Sequence, residues 1–197
     1  MKQKSYLETI VNQVAARFAD PHPRVRWAAI NAMGQLETDL GPDLQNQFHQ
    51  IVLPALVSVM DDVANPRVQS HAAAAVINFT ENCKKEVLEP YLMGLLGKLG
   101  QLLAGGVRIV QEQAITAIAS VADCVEGGFG SFYPSIMPVL KHMLQTCTKK
   151  DERVLSLLAL LVQKSNTDAE GAADVARQGD GVHIPHLHCR RPRYLYQ

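Results

Sequence analysis

The sequence predicts an all-α fold: an α-solenoid of about four antiparallel helix pairs, followed by a disordered C-terminal tail. Three observations predict it. One short text recurs along the chain at nearly constant spacing, each copy carries apolar and small residues at helical period, and turns rich in Asp, Pro, Asn and Gly separate the helices.

The recurrence is plain when the chain is set against itself. PRVRWAAINAMG from Pro23 lies over PRVQSHAAAAVINF from Pro66, then over IVQEQAITAIASVA from Ile109, with DERVLSLLALLV from Asp151 as a weaker fourth copy. The anchors Val25, Val68, Val110 and Val154 are spaced by 43, 42 and 44 residues. That period suits stacked helical hairpins and exceeds the roughly 34 residues of a tetratricopeptide array.

Each copy reads as the second helix of a pair. Val25, Ala29, Ala32, Met33 and Leu36 form an apolar stripe in the first copy. Val68, Ala72, Ala75, Val76 and Phe79 do so in the next, and Val110, Ala114, Ala117, Ile118 and Val121 in the third. Alanine at these positions lets neighbouring helices approach closely. Pro23 and Pro66 suit the first helical position, where no amide hydrogen is needed, and Asn65 is placed to cap the second copy.

A first helix precedes each copy: SYLETIVNQVAARF, QNQFHQIVLPALVSVM, EPYLMGLLGKLGQLL and PSIMPVLKHMLQ. Pro54 and Pro138 fall at one phase of two of them, 84 residues apart counted from Val52 to Ile136, and mark a shared curve in the array. Turns such as ADPHP and DDVANP keep the partners antiparallel.

Residues 1–164 form the array and residues 165–197 the tail. From Ser165 the text becomes small and polar and then ends in CRRPRYLYQ, a composition that cannot bury a core. Leu155 and Leu160 stand in the fourth copy where earlier copies place polar residues. We read the departure near Val154 as altered splicing, a shifted frame or an imperfect gene boundary.

Composition narrows the function classes. Hydrophobic residues make up 47% of the 197, and Lys plus Arg equals Asp plus Glu at 19 each. No global field favours nucleic acid or an anionic membrane, and no apolar run approaches the length of a membrane span or forms a secretory leader. Cys83, Cys124, Cys147 and Cys189 are far apart without a CxxC pair, which fits reduced thiols and an intracellular setting.

Other signals are discounted. His183, His186, His188 and Cys189 match no standard zinc spacing, so no metal and no cofactor is expected. Asn78-Phe79-Thr80 is a chance glycosylation sequon within a helix, and Gly127-Gly128-Phe129-Gly130 lacks the strand, helix and lysine of a phosphate cradle. His22, His49, His71 and His142 fall on different helices with no nucleophile or acid-base partner, so no enzyme is expected.

The segments DPHPRVRWAAINAMGQL and NPRVQSHAAAAVINFTENC resemble HEAT repeats, an armadillo-like helical class. Together with FHQIVLPALVSVMDD and VQEQAITAIASVADCVEGGFGSFYPSIMPVLKHML, they are similar to the middle repeats of the karyopherin-beta nuclear import receptors, in the importin-five (importin beta-3) branch. The resemblance runs from about Ser5 to Arg153. It implies a receptor that shuttles between cytoplasm and nucleus, wraps protein cargo bearing a nuclear localisation signal, releases it to the small GTPase Ran bound to GTP, and touches Phe-Gly nucleoporins. In that family Ran contacts mainly N-terminal repeats, which nothing in this sequence matches.

Second helices line the concave face in that family. The stripe opposite the core then offers Arg26, Trp27, Asn31 and Gln35, next Gln69, Ser70, Ala74 and Asn78, and next Gln111, Glu112, Thr116 and Ser120. Glu37, Asp39, Glu81, Glu112, Asp123 and Glu126 add carboxylates suited to basic signals, or are ordinary solvated helix ends. The expected cargo residues are Trp27, Asn31, Gln35, Ser70, Asn78, Glu81, Glu112, Thr116, Ser120 and Asp123. Trp27, the one tryptophan, is either a platform for an extended peptide beside Asn31 or a filler of the seam between hairpins. The rival function is a general HEAT scaffold that holds protein partners without a Ran cycle.

Overall fold

The computed structural model describes residues 2–125, with side chains from residue 6, and the single helical position Pro138. Among these residues the structure is helical, joined by turns, with no strand. The fourth helix pair, the Gly127–Gly130 turn, Glu126 and the His-rich tail lie outside the described residues.

The first pair comprises α1 (Lys2–Ala16), which tightens into a 3-10 turn at Arg17–Ala19, and α2 (Pro23–Asp39). The second comprises α3 (Asp43–Val59) and α4 (Pro66–Glu81). In the third, a short α5 (Lys85–Leu88) and a 3-10 turn (Glu89–Tyr91) lead into α6 (Leu92–Gly105), which pairs with α7 (Arg108–Val125). The sequence predicts a first helix beginning at Glu89; residues Glu89–Tyr91, with Pro90, wind instead as the 3-10 turn, and the α-helix starts at Leu92.

Pro23 and Pro66 occupy first-turn positions as expected. The caps differ from expectation. His22 caps α2, its Nδ1 accepting from the Arg24 amide at 3.2 Å. Asn65 stands at the N-cap of α4 but turns its amide to Asp62 Oδ1 at 2.8 Å instead of capping. Pro54 lies inside α3 and is exposed, so the carbonyl it frees meets solvent.

The second helices form one layer in which α2 packs on α4 and α4 on α7, while α1, α3 and α6 cover the other side of the core. Small residues set this closeness. An added Cβ on Gly34 would stand 2.8 Å from Asn78 Nδ2 and 3.9 Å from the Cα of Ala75. Leu53, Leu56, Leu95, Leu99 and Leu103 fill the space between layers and are fully buried.

The predicted stripes of α4 and α7 are all buried. In α2 the prediction fails in part. Val25, which lines an open cleft with Gln13, Val14 and Arg17, is 38% exposed, and Ala32 is also exposed.

Side chains at one repeat phase fasten the turns. Gln69 Nε2 donates to the Met60 carbonyl at 2.7 Å and Gln111 Nε2 to the Leu103 carbonyl at 3.0 Å. At the same phase Arg26 donates through Nη1 to the carbonyls of Asp20 and Pro21, and through Nε and Nη2 to Asp62 Oδ2 at 3.0 and 2.7 Å. Arg26 therefore ties the first pair to the second, and Lys98 with Asp61, 2.6 Å apart, ties the second to the third. The sequence places Arg26, Gln69 and Gln111 on the binding face. Their engagement with turn carbonyls moves them off it.

Candidate functional site

The outward surface of the second-helix layer has a regular register. Its central stripe carries Arg24 and Asn31 on α2, Arg67, Ala74 and Glu81 on α4, and Ile109, Thr116 and Asp123 on α7, each exposed or half-buried. Residues seven apart return to one face of a helix after two turns, which keeps these stripes outward.

The positions flanking each stripe meet the neighbouring helix. Trp27 on α2 meets His71 on α4, ring centroids 5.2 Å apart and planes at 90°. Asn78 Nδ2 donates to the Gly34 carbonyl at 3.3 Å. Between α4 and α7, Thr80 Oγ1 and Ser120 Oγ share a hydrogen bond of 2.7 Å. These contacts close the floor of the surface.

Against this register the predicted residues divide. Asn31, Thr116, Glu81 and Asp123 lie on the central stripe, and Gln35, Asn78 and Ser120 along its edge. Thr116 Oγ1 returns to the Glu112 carbonyl of its own helix at 3.0 Å. Trp27 is half-buried in the α2–α4 seam, packed in part on the core, with Nε1 buried and no acceptor for it. Glu112 is half-buried and paired with Arg108 at 3.0 Å.

Ser70 must be corrected. It is 5% exposed, and its Oγ lies 3.4 Å from the Ile109 carbonyl, because α7 covers the side of α4 that α4 itself covers on α2. Glu37 also leaves the acidic wall. It is fully buried, neither carboxyl oxygen has a hydrogen-bond partner, and burial pushes its pKa well above the usual carboxylate range. Of the predicted acids among the described residues, Asp39, Glu81 and Asp123 are exposed.

Sequence reasoning missed His71, which the structure sets against Trp27 at the surface. The repeat itself carries the signal: His71 aligns with Gln113 one period later, and both stand between a buried helix face and the outward stripe. Burial first, and then the positive charge of Arg67, hold the His71 pKa below its ordinary value.

This arrangement suits an extended polypeptide lying across α2, α4 and α7. Asn31 and Gln35 offer amide donors and acceptors for a backbone, and the indole edge offers an apolar contact. The carboxylates at the helix C-terminal ends attract basic side chains, and the negative ends of the helix dipoles reinforce them.

The HEAT repeat family matches residues 10–39, the end of α1 and all of α2. The importin subunit beta-3 of Saccharomyces cerevisiae is 42% identical over 146 residues, which cover 74% of this chain and 13% of that relative. The chain therefore spans a small part of the relative's length. Similar solved structures include the karyopherin Kap121p bound to the extreme C-terminus of the protein phosphatase Cdc14p, with a TM-score of 0.80 at 34% identity over 88% of this chain and 17% of that one. Kap121p bound to Nup53p gives a TM-score of 0.73 at 33% identity over 88% of this chain and 18% of that one. The repeat period, the paired helices with their Ala-lined second layer, and these similarities agree: the chain belongs to the karyopherin-beta family, as a stretch of its HEAT-repeat solenoid.

Proposed function

We propose that this chain is a cargo-binding stretch of a nuclear import receptor, receiving an extended, basic localisation signal across α2, α4 and α7. The observation that carries the reading is the continuous outward stripe Asn31, Ala74 and Thr116, flanked by the Trp27–His71 contact and ended by Asp39, Glu81 and Asp123. Support also comes from Kap121p, which has been solved bound to the extreme C-terminus of Cdc14p and bound to Nup53p. Shuttling between cytoplasm and nucleus, nucleoporin contact and release by Ran-GTP follow from this reading for the longer receptor.

The test is fluorescence anisotropy of a labelled lysine-rich peptide. Binding is expected to weaken several-fold in Asn31→Ala and in a Glu81→Gln/Asp123→Asn double variant, and to fall as salt rises. Binding that ignores both variants and salt removes the groove from the reading. A general scaffold without a Ran cycle would instead keep protein partners in a cytosolic pull-down when a basic peptide or Ran-GTP is added.

A further inference from the structure

Two thiols from successive repeats meet at the C-terminal ends of α4 and α7. Cys83 follows Asn82, the C-cap of α4, and Cys124 is the penultimate residue of α7. Cys124 Sγ donates to the Cys83 carbonyl oxygen at 3.3 Å and Cys83 Sγ to the Lys84 carbonyl at 3.4 Å. Both residues are free and half-buried, so small oxidants reach them. Cys124 Sγ within hydrogen-bond reach of the Cys83 backbone sets the two residues side by side across the seam between α4 and α7.

We propose that Cys83 and Cys124 are an oxidative modification site, in which a hydroperoxide converts the thiol pair to a disulfide that pins α4 to α7. The two sulfurs have different roles. Cys124 is the attacking thiol: once it ionises, the neighbouring Cys83 S–H turns to donate to its sulfur, which stabilises the thiolate and lowers its pKa. Cys83 is held protonated, its pKa raised by the same hydrogen bond, by burial and by the nearby negative charge of Glu86.

In the first step the Cys124 thiolate attacks one peroxide oxygen. The O–O bond breaks, a sulfenic acid forms on Cys124, and hydroxide leaves to take up the proton the thiol released. In the second, Cys83 loses its proton, its sulfur displaces hydroxide from Cys124, and water departs as the S–S bond forms. Two thiols and one hydrogen peroxide become one disulfide and two waters. The bridge spans the neighbouring helices α4 and α7 beside Glu81 and Asp123, so oxidation restricts how far the array flexes where the proposed groove ends. The chemistry stands whether or not that groove binds cargo.

The experiment uses the full chain with Cys147→Ser and Cys189→Ser, treated with hydrogen peroxide and read by intact mass and non-reducing peptide mapping. The expected result is loss of two hydrogens, a linked peptide containing Cys83 and Cys124, a raised melting temperature, and reversal by dithiothreitol. Cys83→Ser is expected to leave a Cys124 sulfenic acid that a 1,3-dione reagent captures, and Cys124→Ser to leave Cys83 largely unoxidised. Helical circular dichroism matching the parent shows that both variants fold. Two thiols that stay alkylatable under peroxide sufficient to oxidise free cysteine, or oxidation to single adducts without a linked peptide, overturn the proposal.

Discussion

The indole of Trp27 stands perpendicular to the imidazole of His71 at 5.2 Å, joining α2 to α4 at the surface of the second-helix layer. The contact places Trp27, half-buried and packed in part on the core, in the seam between the first two helix pairs.

Trp27→Ala is expected to lower stability by about 1–3 kcal/mol, less than for a fully buried tryptophan, in urea denaturation. Trp27→Phe is expected to cost less, since it keeps an aromatic face and removes the buried Nε1 donor that lacks an acceptor. If Trp27 serves a bound peptide, the phenylalanine variant retains most of the affinity and the alanine variant loses it. Equal affinity in all three proteins would confine the residue to the seam.

His71 is expected to make stability depend on pH in the mildly acidic range. Its folded pKa lies below its ordinary value, so between that value and about 6.5 the unfolded chain binds more protons than the folded one. Stability contributed here rises with pH through that window and is flat above it. The facing groups are Arg67, one turn earlier on α4, and Trp27 across the seam. His71→Gln is expected to flatten this part of the profile, measured as the urea midpoint at closely spaced pH values.

Glu37 acts in the opposite direction. Its folded pKa is raised, so its share of stability is fully present below about 4.3 and is lost as pH rises toward the folded value. Gln45, whose Nε2 donates to the Glu37 backbone carbonyl at 3.0 Å, leaves its own Oε1 without a partner nearby. Glu37→Gln is expected to gain stability over the parent progressively as pH rises from about 4 to neutral. A stability difference independent of pH would show that Glu37 is ionised in the folded chain.

Two glycines are expected to respond differently to alanine. At Gly106 a Cβ would collide with the Leu102 carbonyl oxygen and stand 2.9 Å from Val110 Cγ1, so backbone must move, and Gly106→Ala is expected to cost about 1–3 kcal/mol. At Gly34 the obstacle is the terminal amide of Asn78, which can swing aside at the loss of its hydrogen bond to the Gly34 carbonyl. Gly34→Ala gains about 1 kcal/mol of helix propensity against that loss and is expected to be near neutral. Thermal melts of both variants test the contrast.

The sequence by itself determined the helices, their pairing and their period. Apolar residues every three or four positions leave a helix one way to bury itself, and the anchors from Val25 to Val110 repeat that pattern without dependence on distant contacts. Such a signal is local and survives in one dimension. The lateral register was decided only by the tertiary structure. Adjacent residues on a helix differ by about 100° in direction, so whether Ser70 or His71 reaches the surface depends on where α2 and α7 lie against α4. The same holds for the meeting of Cys83 with Cys124: a thiol reads alike in sequence wherever it stands, and the residue that pairs it is about forty residues away, about one repeat.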